Sequence, residues 1–72
     1  MFRIIITKPD VGQVIKDISV DAETLGEVET IALFECRKHF GSRFIMLHYL
    51  TNMVYTVFDG LNEVGTVHID AI

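Results

Sequence analysis

The stretch "TLGEVETIALFECRKHFG", residues 24–41, encodes a helix with both of its ends written in, and the rest of the chain holds no second one. Thr24 followed three residues later by Glu27 is a capping box, in which each side chain can satisfy the other residue's free amide. Glu23, Glu27 and Glu29 lie near the positive end of the helix dipole, and Arg37, Lys38 and His39 near the negative end. Gly41 suits the left-handed residue that ends a helix. Ala22 can staple weakly against Val28. The ~16 residues span ~24 Å, which matches a seven-residue strand at ~3.3 Å per residue. One helix of that length covers one face of a small sheet and leaves the other bare.

Strand chemistry fills the remainder. "FRIIIT", residues 2–7, is β-branched and aromatic. "KPDVG" follows, with Pro9, Asp10 and Gly12 as turn residues. Val14, Lys16, Ile18, Val20 and Ala22 then alternate with Gln13, Ile15, Asp17, Ser19 and Asp21. Apart from Ile15 and Lys16, this is an apolar face against a polar one, and the two strands form an antiparallel hairpin. After the helix come "RFIMLHYL", "MVYTVF" and "VGTVHIDAI", separated by Thr51-Asn52 and by "DGLN". These predict a three-stranded antiparallel meander. The expected fold is α+β, in the order β-β-α-β-β-β. One helix packs on a mainly antiparallel sheet of four or five strands, and residues 1–72 form one domain.

Apolar side chains outnumber what one helix can shelter. Half of the residues are hydrophobic, and a short chain has little interior in which to hide them. On a helical wheel Leu25, Val28, Ala32, Cys36 and Phe40 gather on one side, with Leu33 at its edge. Ile31 and Phe34 fall on the far side, where they meet solvent, a partner or the loop at residues 8–13. In the third strand Phe44, Met46, His48 and Leu50 occupy one face, and Ile45, Leu47 and Tyr49 the other. A strand apolar on both faces reads as central. In the first strand Phe2, Ile4 and Ile6 oppose Arg3, Ile5 and Thr7. The bare face is therefore expected to show Ile5, Ile45, Leu47, Tyr49 and Tyr55. A contiguous apolar patch of this kind marks an interface, unless the sheet twists round to bury it. The candidate partner-binding residues are Ile31, Phe34, Ile45, Leu47, Tyr49 and Tyr55.

Other chemistries find less support. Cys36 is the single cysteine, so no internal disulfide is possible. Secreted chains of this size normally carry several, which predicts a cytoplasmic location. No run is long and apolar enough to span a membrane; the longest, Phe44 to Leu50, is interrupted by His48. The net charge is −4 and the six basic residues are scattered, whereas nucleic-acid binding wants a basic stripe. Cys36 and His39, three apart on the helix, could join His48 and His68 in a zinc site. No second close-spaced pair supports them, and Cys36 falls in the core stripe. A Cys36–histidine dyad would need an exposed, electropositive thiol. Ser42 near His39 or His48 is a coincidence of spacing, and Asp59 and Glu63 flank a turn. "DGLNEVG" has neither the spacing nor the lysine of a phosphate loop. Neither catalysis nor a cofactor is expected.

The passage "ISVDAETLGEVETIALFECRKHFG", residues 18–41, carries one resemblance, over a third of the chain. A strand ends in an alanine-acid-threonine-leucine corner, and the helix then carries alanines and an aromatic. This corner resembles that of small bacteriophage-encoded inhibitors of host proteins, the RNA polymerase inhibitors and anti-CRISPR proteins among them. The resemblance implies a phage-encoded chain that binds a host protein in the host cytoplasm and blocks its surface without catalysis. Nothing outside the corner aligns, so no contact residue carries over. The expectation from residues and resemblance together is a non-catalytic protein-binding module. The alternatives are a homo-oligomer sealed through its sheet or helix patch, and a small metal-binding protein using Cys36 and histidines.

Overall fold

The computed structural model describes residues 1–8 and 12–72; Pro9, Asp10 and Val11 lie outside the described residues, and with them most of the first expected turn. The elements are β1 (Phe2–Lys8), β2 (Gln13–Val20), α1 (Leu25–Phe40), β3 (Ile45–Thr51), β4 (Val54–Asp59) and β5 (Asn62–Ala71). All five strands join one sheet in the order β2-β1-β5-β4-β3, each pair antiparallel. The fold is thus α+β in the expected β-β-α-β-β-β order. The hairpin of β1 and β2 and the meander of β3, β4 and β5 meet where β5 pairs with β1, which puts the last strand at the centre.

Local chemistry sets the helix ends. Thr24 Oγ1 accepts from the Glu27 N–H at 3.2 Å. The Glu27 carboxylate accepts in turn from the Glu23 N–H at 3.3 Å, one residue before the amide that a capping box uses. Gly41 adopts the left-handed conformation at φ 68°, and its N–H donates to the Arg37 carbonyl at 2.9 Å. Between these caps the stripe Val28, Ala32 and Cys36 is fully buried against the sheet. It meets Ile4 and Ile6 of β1, Ile45 of β3, Tyr55 and Val57 of β4, and Val67 and Ile69 of β5. Burying one such aliphatic side chain is worth roughly 1.5–3 kcal/mol, so this single layer supplies most of the stabilisation.

The break in the β2 pattern has a physical cause. Ile6 pairs with Lys16 while Thr7 pairs with Val14, so Ile15 is an extra residue, a β-bulge. The bulge lets Ile15 pack against the core, and Val14, expected on the apolar face, turns out to solvent. Lys16 stays on the helix side, where its ammonium lies 3.4 Å from the Glu35 carboxylate.

The third strand departs from expectation in its position. It was expected at the centre of the sheet because it is apolar on both faces, and it lies at the edge. Its chain neighbour across the tight Asn52-Met53 turn is β4 (both turn residues have positive φ, 48° and 64°). The other side of β4 is already taken by β5.

Candidate protein interface

The six residues expected at an interface divide sharply. Ile45 and Tyr55 are not on the bare face; both are buried in the core beneath α1. The registers Tyr49↔Tyr55 and Tyr55↔Val67 put these side chains on the same side of the sheet as the clearly inward Val67 and Ile69. Two-sided apolar patterning in β3 gave no sign of which face turns inward, and pairing to β4 and β5 decides it. Leu47 shares that face and is half-buried against the core. Tyr49 also shares it, with its ring edge-on to that of Tyr55 at 5.3 Å, but is 55% exposed near the sheet rim. The Tyr55 hydroxyl donates to Glu29 at 2.5 Å. Burial, together with that bond, pushes the phenol's pKa up, so Tyr55 is a pin between β4 and α1.

On the helix, Ile31 is half-buried and packs against the core, while Phe34 is 58% exposed. The expected Ile31–Phe34 patch is therefore one aromatic ring and a flanking core residue. The loop at residues 8–13, one of the alternatives for covering the pair, contains residues outside the described ones.

The face away from α1 carries side chains that sequence reasoning set aside. Registers align Met46 with Phe58, His48 with Thr56, Thr56 with Thr66, and Val54 with His68. This open face has two halves. Over β1, β2 and β5 it is mixed, with charged side chains around Val14 and a half-buried Ile5, which lies on this face as expected. The Arg3 guanidinium donates twice to Asp17, at 2.8 and 2.6 Å, holding that carboxyl below the usual carboxylate range. His68 lies 3.2 Å from Asp70. Over β3 and β4 the face is apolar. Met46 is 60% exposed, Phe58 is half-buried, and Phe44 stands exposed just before β3 under the Arg43 guanidinium; Leu50, which the register shift leaves without a partner in β4, is 65% exposed at the far end of the strand.

This apolar half runs to the outer rim of the sheet. Among the described residues only β4 pairs with β3. The Phe44 carbonyl points inward and accepts from the Gly60 N–H at 3.4 Å. Backbone groups alternate along a strand, so those of Ile45, Leu47 and Tyr49 point away from β4; Ile45 is fully buried, so the open edge is confined to Leu47 and Tyr49. An edge is usually blunted by charge, proline or a bulge. The β2 edge has Lys16, Asp17 and its bulge. The β3 sequence "IMLHYLT" has no charged residue and no proline, and its one register shift falls beyond Tyr49, leaving Ile45–Tyr49 regular. The signal for Met46 and Leu50 was present in the two-faced strand; assigning Ile45, Leu47 and Tyr49 to the bare face hid it.

Residues considered for chemistry are held apart or occupied. Cys36 is buried on the sheet-facing side of α1, and burial, then the Glu35 charge, pushes its thiol up to about 12. His48 and His68 lie on the opposite side of the sheet, and His39 is exposed near the helix end. Among the described residues no three His, Cys, Asp or Glu side chains converge as metal ligands would. The Ser42 hydroxyl donates to Asp59 at 2.8 Å and accepts from the Phe44 N–H at 3.1 Å, which fastens the entry to β3. No helix among the described residues is long and apolar enough to cross a membrane.

A thiol so placed is protected twice, by burial and by the scarcity of thiolate. Cys36 is expected to resist iodoacetamide in the native protein at pH 8 and to react fully in denaturant, read by mass spectrometry. Rapid native labelling would place it outside the core.

Compared with protein families, with characterised proteins and with solved structures, the chain matches none.

Proposed function

We propose that this chain is a non-catalytic protein-binding module whose contact surface is the outer edge of β3 with the apolar half of the open sheet face. The observation that carries the reading is an unguarded edge strand continuous with exposed Met46 and Leu50. Such an edge binds by strand addition. Main-chain hydrogen bonds give affinity, and alternate side chains give specificity. Inhibition of a host protein, implied by the corner at residues 18–41, is work such a module can do. The corner itself is occupied in capping α1 through Thr24, so the contact surface is sought on β3.

The test pairs Met46→Lys with His48→Lys, two exposed positions on the open face. Affinity capture from the native host's lysate is expected to yield a protein with the wild type and to lose it with the doubly substituted chain. Truncating a central interface contact costs about 2 kcal/mol or more. Val14→Lys, on the guarded β2 edge, is expected to leave capture intact. Capture that survives both lysines would move the contact surface away from β3.

A further inference from the structure

The turn between β4 and β5 carries a dipeptide whose chemistry the fold restrains. We infer that Asp59-Gly60 is a site of aspartyl isomerisation, held shut in the native protein by residues 42–44 at the entry to β3. An aspartyl carboxyl is open to attack by the main-chain nitrogen of the following residue, and a side chain on that residue shields the nitrogen. Of the aspartates and asparagines in the chain, Asp59 alone precedes glycine. Gly60 is exposed, with a φ of 63°, and its neighbour Leu61 is 99% exposed. The turn therefore stands in water, where the reaction can run once the local geometry permits it.

The step needs no reagent but water. Gly60 N bonds to Asp59 Cγ, and one carboxyl oxygen leaves as water with the amide proton and a proton from solvent. The product is a cyclic succinimide. Water then opens the ring at either of its carbonyl carbons. One cleavage restores the aspartate. The other breaks the bond between Gly60 N and the main-chain carbonyl carbon of Asp59, so the chain runs on through Cβ and Cγ. Nothing is oxidised or reduced. The new main chain is longer by a methylene. It no longer suits a turn in which Gly60 and Leu61 alone join Asp59 to its cross-strand partner Asn62.

Three features oppose the first bond. Asp59 is the last residue of β4, and an antiparallel strand has ψ of about +135°. Ring closure needs the Gly60 nitrogen on the Cβ side of the Cα–C bond, and an extended backbone turns it away. The carboxyl is also engaged, since Asp59 Oδ1 accepts from the Ser42 hydroxyl at 2.8 Å. Ser42 is fixed in turn by the Phe44 N–H, which donates to Oγ at 3.1 Å. The attacking group is engaged as well: the Gly60 N–H donates to the Phe44 carbonyl at 3.4 Å. Carboxyl and amide thus both hang on residues 42–44. This clamp acts whatever β3 binds, so it is independent of the interface proposed above.

Incubation at neutral pH in water enriched in heavy oxygen tests the inference, because every passage through the ring leaves one oxygen from water at residue 59. Peptide mapping by mass spectrometry reads the uptake, and fragmentation separates the two products. The native wild type is expected to convert at least about tenfold more slowly than the same chain in urea, since ring closure waits on local opening. Native Ser42→Ala is expected to convert at least about threefold faster than native wild type, while in urea the two chains convert alike. Val28→Ala loosens the core under α1 and leaves the turn untouched. It is expected to convert at the wild-type rate, because its unfolded fraction stays small. No uptake at residue 59 in urea overturns the inference, and so does a native wild type that converts as fast as the unfolded chain. A Ser42→Ala protein that converts at the wild-type rate overturns the clamp. So does a Val28→Ala protein that converts as fast as Ser42→Ala, since general opening would then be the cause.

Discussion

Ile45→Ala is expected to lower the free energy of unfolding by about 2–5 kcal/mol, while Met46→Ala beside it changes it by less than about 0.5 kcal/mol. The two residues are chain neighbours with similar side-chain volumes. They differ in the face they present: Ile45 is 0% exposed under α1, and Met46 is 60% exposed on the open face. Truncating Ile45 removes transfer free energy and leaves a cavity between the helix and β3, which close packing cannot readily collapse. Small domains are stable by only about 5–15 kcal/mol, so the variant stands near the edge of unfolding. Denaturant titration at protein concentrations low enough that the midpoint no longer depends on concentration checks the pair, since association would add to apparent stability. Equal losses, or a larger loss at Met46, would reverse the face of β3 and with it the proposed interface.

That prediction also marks where the sequence stopped being informative. Helix boundaries were legible because capping is chemistry between near neighbours: Thr24, Glu27 and Gly41 each act within a few residues of where they stand. The five strands were legible from β-branched runs and turn residues. The broken alternation at Ile15 and Lys16 was a visible trace of the bulge, although only pairing with β1 shows that Ile15 turns inward. β3 was different. Alternation divides a strand into two sets but names the inward one only when the sets differ in polarity, and in β3 both are apolar. Its face is fixed by Val57 of β4 and Val67 of β5, whose neighbours Thr56, Thr66 and His68 are polar. Of the six expected contact residues, Phe34 and Tyr49 are exposed, Ile31 and Leu47 are half-buried, and Ile45 and Tyr55 are core. The excess of apolar side chains was read correctly as exposed surface; the error was in which residues make it up. Met46, Leu50 and Phe44 were passed over because the opposite set, Ile45, Leu47 and Tyr49, was assigned to the bare face.

Gly65→Ala is expected to cost about 2–3 kcal/mol, at the upper part of the range for overpacking a filled core. Gly65 is buried in β5, the central strand, opposite Val57 of β4. A methyl group there would stand 2.8 Å from the Thr7 carbonyl oxygen of β1 and 3.1 Å from Phe40 Cζ at the end of α1. The aromatic ring can swing aside. The carbonyl cannot, because it belongs to the β1–β5 ladder that joins the hairpin to the meander, with Thr7 paired to Thr66. The cost therefore falls on the seam that unites the two halves of the sheet. For a chain of this length each kcal/mol lowers Tm by about 4–8 °C, so a fall of about 10 °C or more is expected in a thermal melt. Phe40→Leu introduced alongside relieves the ring contact but not the backbone one, and is expected to recover only a minor part of the loss. Recovery close to the Phe40→Leu single variant would mean that the ring was the obstacle and that β1 can shift away from β5. A Gly65→Ala protein as stable as the wild type would mean that neither the Thr7 carbonyl nor Phe40 closes over position 65.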